Sequence, residues 1–354
     1  MFRGVVKMAE KVKYFLGANS DKGFVSYFKQ LQDASASLQL LILKGGPGSG
    51  KSTLMKRVAA YAQENGHTVE YVPCASDKQS LDAFIDLTKG FAMVDGTAPH
   101  VEDPHYPGAL QHIMYTGNLW NCDLLEKNKG DIICLTERIN ALHSSAAAYI
   151  KGAGALLGEN AKKSEAYIKN DSFYKVSEKI VRNLPADSGG KEIKRLLSAV
   201  SVGEIVRFEE TVSVLSQKTV VIDDAWGAYT DRLIKFVISC ASERGIGVIS
   251  FPCSVSKERY EHLYIPATGL FITTFKSGIH CKNAEIYNDL YEKIEDEHIF
   301  AQRKETAALL LEKACGEVKS AKMLHDELER YYVEAMDFSK TELLYNEILD
   351  RFYK

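Results

Sequence analysis

The chain has 354 residues, of which 45% are hydrophobic, 26% are charged and only 8 are proline. This composition excludes wholesale disorder and collagen-like repeats, and at about 150 residues per domain the length predicts about two domains, each able to bury a core. With 44 basic and 47 acidic residues the formal net charge is -3. That charge is too balanced for a protein that grips a nucleic-acid backbone along its length, so nucleic acid is not an expected partner.

The cysteines and the hydropathy pattern indicate the compartment. The seven cysteines are odd in number, are scattered and contain no C-x-x-C pair, which fits a reducing compartment rather than a disulfide framework or a zinc site. No apolar run approaches the ~20 residues that span a bilayer, and the N-terminus lacks the apolar region of a signal peptide. We therefore expect a cytoplasmic protein with no membrane partner.

The first motif is a glycine-rich loop between a predicted strand and a predicted helix. Residues 38–54 read LQLLILKGGPGSGKSTL, in which G-x-x-x-x-G-K-[ST] follows an apolar run and precedes a segment of helical periodicity. Glycines permit torsions and a close approach that let successive amides point at phosphate oxygens, and the helix adds the positive end of its dipole. The sequence therefore predicts binding of a nucleoside triphosphate with Mg²⁺ by Gly45, Gly46, Pro47, Gly48, Ser49, Gly50, Lys51, Ser52 and Thr53.

Catalysis and metal binding are assigned to four side chains. Lys51 is placed to reach the β- and γ-phosphates, and the Ser52 hydroxyl is placed to ligate Mg²⁺. Asp95 is the candidate for a metal-side carboxylate because it follows the short apolar run at 91–94 and precedes a turn glycine. His100 lies in the proline-rich loop that follows, where it is a candidate for orienting an attacking water or an acceptor group.

The sequence also contains an internal repeat. Residues 41–85 align without a gap on residues 220–264 at an offset of 179, and 11 of the 45 positions are identical, where chance would give about three. In the second copy the loop has lost its phosphate-binding residues, because carboxylates repel phosphate and bulky side chains close the loop. Asp223 and Asp224 stand at the positions of Lys44 and Gly45, and Tyr229, Thr230 and Asp231 stand at those of Gly50, Lys51 and Ser52.

A second interpretation of the segment VVIDDA remains open. Three apolar residues followed by two aspartates are also typical of a Walker B strand, in which case Asp223 and not Asp95 is the metal-side carboxylate of one large ATPase. The separation of about 170 residues between the loop and Asp223 is unusually long for such a domain. The gapless repeat favours Asp95.

Three segments together carry a family resemblance. GANSDKGFVSYF, LKGGPGSGKSTLMK and VDGTAPHVEDPHYPGA resemble an uncharacterised family of tandem P-loop ATPases found in Gram-positive bacteria, over most of the chain. The resemblance implies ATP binding and a two-lobed cytoplasmic protein, carried here onto residues 45–53 and Asp95. This chain departs from a pattern of two intact loops at nearly every phosphate-contacting position of its second copy. The resemblance implies no substrate.

We predict an α/β fold of two lobes, each a P-loop NTPase-like, mainly parallel sheet with an appended helical hairpin. Residues 1–190 would hold the intact loop and a helical stretch at about 119–184, and residues 191–354 the degenerate loop and a helical stretch at about 283–353. The two lobes would be related like a dimer fused into one chain. The C-terminal helix, whose apolar residues recur at helical spacing up to Phe352, is expected to pack on its own lobe.

The predicted function is Mg²⁺-dependent ATP hydrolysis coupled to conformational change or to binding of an unidentified protein or small-molecule partner. Loops near Asp21, Gly23 and His100 would sense the γ-phosphate. A small-molecule or nucleotide kinase is the alternative in which the loop at 95–108 binds the acceptor, although no arginine-rich lid segment is present in the first lobe. A nucleotide-gated binding module with negligible turnover is the third candidate. The sequence does not choose between adenine and guanine.

Overall fold

The computed structural model describes residues 11–33, 38–98, 101–185, 190–276 and 284–354. Residues 11–185 form β1 (Val12–Lys13), β2 (Gly17–Ser20), β3 (Gly23–Ser26), α1 (Lys29–Asp33), β4 (Gln39–Lys44), α2 (Lys51–Glu64), β5 (Val69–Cys74), β6 (Asp77–Asp86), β7 (Phe91–Asp95), β8 (Gln111–Tyr115), α3 (Cys122–Lys127), α4 (Lys129–Ser164) and α5 (Asn170–Arg182). Residues 190–354 form β9 (Glu192–Lys194), β10 (Ser198–Val200), β11 (Ile205–Arg207), α6 (Glu209–Leu215), β12 (Lys218–Ile222), α7 (Ala228–Glu243), β13 (Val248–Pro252), β14 (Tyr260–Ile265), β15 (Leu270–Thr273), β16 (Ala284–Tyr287), α8 (Glu297–Ala335) and α9 (Thr341–Phe352). Short 3-10 turns lie at Thr116–Leu119, Glu165–Tyr167 and Phe338–Lys340.

The strands form two six-stranded sheets with the same order. The first sheet runs β1-β5-β6-β7-β4-β8, in which β6 is antiparallel to both neighbours and the other pairs are parallel. The second runs β9-β13-β14-β15-β12-β16, in which β14 is antiparallel to both neighbours. The protein is therefore a mixed α/β protein with mostly parallel sheets, as predicted, and the matching order is compatible with a duplicated fold.

Strand β4 lies between two parallel neighbours, and the sequence explains why. Its apolar run at 40–43 is buried throughout, as expected for a central strand covered on both faces. Helix α2 follows with Leu54, Met55, Val58 and Ala62 on one face, and these side chains pack on the first sheet. The glycine-rich loop therefore connects a buried strand to a helix that is held against the same sheet.

The offset of 179 found in the sequence holds in the sheet registers. Leu41 pairs with Met93 between β4 and β7, and Val220 pairs with Ile272 between β12 and β15. Each residue of the second pair lies 179 positions after its counterpart in the first pair. The repeat in the sequence therefore corresponds to equivalent positions in the two sheets.

The two halves of the chain meet through reciprocal contacts. The amide of Phe15 donates to the carbonyl oxygen of Leu196 at 2.8 Å, and the amide of Leu196 donates to the carbonyl oxygen of Phe15 at 2.9 Å. An exchange of this kind is what a local twofold axis produces. Apolar residues of both halves pack around this bridge, among them Tyr14, Phe28, Leu197, Phe208, Phe251 and Phe271.

The long helices do not form a hairpin within each half, so the sequence-based prediction was wrong on this point. Helix α4 packs antiparallel against α8: the side-chain amide of Asn160 donates to the carbonyl oxygen of Phe300 at 2.8 Å, and at the other end Tyr331 donates to Asp131 at 3.3 Å. Apolar residues of both helices form the clusters between them. Each half contributes one long helix to a pair that joins the two halves.

The last helix of each half packs on the opposite half. Phe173 and Ile180 of α5 lie in the same apolar cluster as α7 and the second sheet. Ile348 and Phe352 of α9 lie in the cluster of α2 and the first sheet, and the Phe352 ring stacks on Phe91 with 4.5 Å between centroids. The expectation that the C-terminal helix packs on its own lobe was therefore wrong. The pattern of apolar residues predicts a buried face but does not name the surface that covers it.

Among the described residues, no helix is both long enough and apolar enough to cross a membrane.

Candidate functional site

The glycine loop (residues 45–50) connects the end of β4 to the start of α2. Gly48 and Gly50 have φ angles of 66° and 80°, in the left-handed region that costs glycine nothing and other residues a steric penalty. Lys51 then opens a helix of 14 residues, whose first amides have no partner inside the helix and attract anions. Thr53 is exposed on the first turn of this helix.

Lys51 is buried inside the loop. Its Nζ donates to the carbonyl oxygens of Gly45 and Gly46, both at 2.8 Å, and lies 3.5 Å from Asp95 Oδ2. Burial lowers the pKa of Lys51, and the Asp95 carboxylate opposes that change. The loop carbonyls and one carboxylate therefore surround the amine at the start of α2.

Asp95 lies at the carboxyl end of β7, the strand next to β4. The parallel register places it opposite Leu43, directly before the glycine loop. Its Oδ1 accepts hydrogen bonds from the amide of Thr97 at 3.0 Å and from the Thr97 hydroxyl at 2.6 Å. These bonds leave Oδ2 directed at Lys51.

Asp82 is a second carboxylate at this site, and the sequence analysis missed it. The antiparallel register of β6 and β7, with Ala83 opposite Val94, brings Asp82 next to Asp95. Burial, together with the charge of Asp95 and against the opposing charge of Lys51, raises the pKa of Asp82 to about 7. The amide of the preceding residue, Leu81, donates to Ser52 Oγ at 2.9 Å. An acidic residue inside the apolar run LDAFI is the sequence signal that points to it.

Thr116 supports the loop from the other side and was also missed. It follows β8, which is the second neighbour of β4, and only 1% of it is exposed. Its Oγ1 lies 3.0 Å from Ser49 Oγ and 3.1 Å from the carbonyl oxygen of Lys44. Ser49 Oγ in turn donates to the carbonyl oxygen of Gly46 at 2.9 Å. These hydroxyl contacts connect the loop to the end of β8.

The second half of the chain contributes a wall to this site. A Cβ atom on Gly48 would lie 3.0 Å from the carbonyl oxygen of Glu329 and 3.0 Å from Cγ2 of Val333, both on α8. A Cβ atom on Gly46 would lie 3.1 Å from the Tyr332 ring. A side chain at 46 or 48 would therefore press on α8, and glycine at both positions allows this helix to pack closely on the loop, a role that was not predicted from the sequence.

A cluster of metal-ligating residues also lies on this part of α8. Ligand atoms of His325, Asp326 and Glu329 lie within 4.8 Å of one another. Lys322 forms ion pairs with Asp326 and, at 3.3 Å, with Asp77 at the start of β6. The Lys322 amine already neutralises Asp326, and its second ion pair, with Asp77, connects α8 to the first sheet.

The second loop (residues 223–227) has the corresponding position in the second half. Asp224 turns its carboxylate into the loop: Oδ1 accepts from the amides of Trp226 at 3.0 Å and Gly227 at 2.7 Å, and Oδ2 accepts from the amide and the hydroxyl of Thr230 at 2.8 and 2.9 Å. Helix α7 begins at Ala228, the position that aligns with Ser49, so it has two extra residues at its start. The Asp224 carboxylate therefore already accepts hydrogen bonds from the amides of the second loop.

Arg259 and Asp223 also place charges at the second loop. Arg259 packs against Gly227 so closely that a Cβ atom there would lie 2.1 Å from its Nη1. Asp223, the alternative metal-side carboxylate, lies at the end of β12 in the second sheet and forms an ion pair with Lys276. The structure thus separates Asp223 from the sheet that carries the glycine loop.

The remaining predicted positions are dispersed. His100 lies outside the described residues. Asp21, at the tip of the β2-β3 hairpin, accepts from the amide of Lys257 at 3.1 Å, and its own amide donates to the carbonyl oxygen of Val255 at 3.2 Å. These contacts place Asp21 against the second half of the chain, and its role in sensing a γ-phosphate stays a prediction.

The comparisons with known proteins bear on the segment that contains the glycine loop. Residues 25–93, which are 69 of the 354 residues, match the family model described as Nephrocystin 3, N-terminal. The match begins in β3 and ends in β7, so it includes the glycine loop and Asp82 but stops before Asp95. No curated protein and no solved structure matches the chain. The match covers less than half of the chain and does not bear on tandem duplication, so the resemblance to tandem P-loop ATPases stays a prediction.

Proposed function

We propose that the protein binds ATP with Mg²⁺ at the glycine loop and hydrolyses it, and that hydrolysis is coupled to movement of the second half of the chain. One observation carries this proposal: the Lys51 amine lies between the loop carbonyls and Asp95, at the junction of a buried strand and a helix N-terminus. Phosphate oxygens would replace the two carbonyl oxygens as partners of the amine, and the amides at the start of α2 would face the same anion.

The residues at the site fit a magnesium nucleotide. Ser52 Oγ and the Asp95 carboxylate are oxygen ligands of the kind that Mg²⁺ prefers, and a bound Mg²⁺ would offset the negative charge of the β- and γ-phosphates. Asp82 lies beside Asp95 and is our candidate for orienting the attacking water, a role that the sequence analysis gave to His100. The segment that matches the Nephrocystin 3, N-terminal family model, residues 25–93, contains the glycine loop and Asp82.

Coupling is supported by the contact between the glycine loop and α8. The Gly46–Gly48 segment packs directly on Glu329, Tyr332 and Val333, and α8 is paired along its length with α4. A change in the loop on nucleotide binding would therefore reach the helix pair that joins the two halves. This contact favours an ATPase with a mechanical output over a kinase.

Calorimetry with Mg·ATP tests nucleotide binding. We expect one site per chain, because Asp224 already occupies the amides of the second loop. Two equivalent sites per chain, or no heat with any magnesium nucleotide, would contradict the proposal.

Phosphate release tests the reaction. We expect release without an added acceptor, abolished in Asp95→Asn and retained in the matched variant Asp223→Asn. Loss of Mg²⁺-dependent release only in Asp223→Asn would show that the metal-side carboxylate was wrongly assigned. Formation of ADP only when a metabolite mixture is added would indicate a kinase, and tight binding without turnover would indicate a nucleotide-gated module.

A further inference from the structure

We propose that the base of the bound nucleotide stacks on an aromatic wall formed jointly by the two halves of the chain. The aromatic wall consists of Tyr115 and Trp120 from the first half and Tyr332 from the second half. This inference rests on the proposed function, because it requires a phosphate chain in the glycine loop.

The position of the aromatic wall follows from the order of the strands. Strand β4 has β7 with Asp95 on one side and β8 on the other. Asp95 and Lys51 mark the end of the site where the terminal phosphates and the metal would lie. A nucleotide is elongated, so its base leaves the loop on the opposite side, over the end of β8. Tyr115 is the last residue of β8, and Trp120 follows the next 3-10 turn.

The three rings are contiguous with each other and with the loop. The centroids of Tyr115 and Trp120 are 6.0 Å apart, and those of Trp120 and Tyr332 are 5.4 Å apart. A Cβ atom on Gly46 would lie 3.1 Å from the Tyr332 ring and 3.3 Å from the Trp120 ring. Tyr115 is 47% exposed, so the wall reaches from the loop to solvent.

The chemistry of the wall predicts the class of ligand. Each base has an aromatic face, and stacking on aromatic side chains discriminates little among bases. The N-K-x-D sequence that reads guanine in GTPases occurs at 128–131, but there it forms the start of α4, and the side-chain amide of Asn128 donates to the carbonyl oxygen of Leu124 at 3.0 Å. We therefore expect the site to accept adenine and guanine nucleotides with similar affinity.

Binding of Mg·ATP is to be compared with binding of Mg·tripolyphosphate, which fills the loop but has no base. In the wild-type protein we expect ATP to bind about 5- to 100-fold more tightly than tripolyphosphate, the range that stacking of one base provides. Tyr115→Ala should weaken ATP binding by about 5-fold or more and leave tripolyphosphate binding unchanged, and Tyr332→Leu should weaken ATP binding more than tripolyphosphate binding. Tyr174→Ala is the matched control, because Tyr174 is 61% exposed on α5 and should change neither.

A spectroscopic readout does not depend on truncation of the wall. The chain contains two tryptophans, so Trp226→Phe leaves Trp120 as the only one. ATP should change the fluorescence of Trp120 more than tripolyphosphate does.

The outcomes separate this inference from the proposed function. If ATP and tripolyphosphate bind equally well, or if Tyr115→Ala weakens both equally, the rings only pack α8 against the loop and the inference is wrong, while the proposed function stands. If neither ligand binds the wild-type protein, the proposed function itself fails. A strong preference for one base would also contradict the inference, because stacking alone cannot produce it.

Discussion

The glycine loop and the second loop share one framework, in which a buried parallel strand leads into a helix. They differ in the charged side chain that lies inside the loop. In the glycine loop the amine of Lys51 is the charged group inside the loop. In the second loop the carboxylate of Asp224 accepts hydrogen bonds from three backbone amides, and the guanidinium of Arg259 packs against Gly227. The strand, loop and helix can therefore keep the same arrangement when a side chain of the loop supplies the anion.

The largest effect is expected from removal of the Lys51 amine, the positive charge inside the glycine loop. Lys51→Ala should weaken Mg·ATP binding by about 100-fold, because charged hydrogen bonds to the phosphates are lost. Lys56→Ala removes the same charge from an exposed position of the same helix and should leave the affinity unchanged in calorimetry. Equal affinity of the Lys51 and Lys56 variants for Mg·ATP would show that the Lys51 amine does not contact the phosphates.

The second loop should lose stability when its internal anion is removed. Asp224→Ala leaves the amides of Trp226, Gly227 and Thr230 without their acceptor and should lower the free energy of unfolding by about 2–3 kcal/mol. Asp224→Asn keeps one acceptor oxygen and should cost less. Urea unfolding measures both, and an unchanged midpoint for Asp224→Ala would show that the carboxylate is not the anchor of this loop.

The two halves should also respond differently to acid. His262 of β14 is buried at the position that Ala83 occupies in β6, and burial lowers its pKa to about 4, with Glu261 opposing and Arg207 adding to the change. Because the unfolded chain binds the proton first, the contribution of His262 to stability is full above pH 6.5 and is lost as the pH falls towards 4, by about 2 kcal/mol between pH 7 and pH 5. His262→Ala should remove this dependence from unfolding curves, whatever it does to stability at pH 7. If His262→Ala keeps the wild-type slope of stability against pH, another group causes the dependence.

The smallest effect isolates the contact between the glycine loop and α8. Gly48→Ala places a Cβ atom on a residue with a φ of +66° and 3.0 Å from the carbonyl oxygen of Glu329, whereas Gly23→Ala places one on a residue with a φ of +91° and no atom within 4 Å. Gly48→Ala should therefore cost about 1 kcal/mol more than Gly23→Ala in urea unfolding. Equal costs would mean that α8 yields to the new methyl group and does not press on the loop.

The local features of the site could be read from the sequence because they depend on neighbouring residues. The apolar run at 40–43, the glycines and Lys51 predict a strand, a turn and a helix start in that order, and the structure has these elements there. The other contacts of the loop could not be read in this way. Asp82, Thr116 and Tyr332 lie 31, 65 and 281 residues from Lys51 along the chain, and no spacing rule links them to it.

Amino-acid order alone predicts the two similar halves, the strand and helix that flank each loop, and the loss of lysine and glycine from the second loop. Only the folded chain shows that α4 pairs with α8, that α5 and α9 each cover the opposite half, and that α8 forms a wall of the glycine loop. The physical reason is that amphipathic periodicity specifies how much apolar surface a helix must bury, and many surfaces satisfy that need. Which surface does so depends on the shape and charge of both partners, and these meet only in the folded chain.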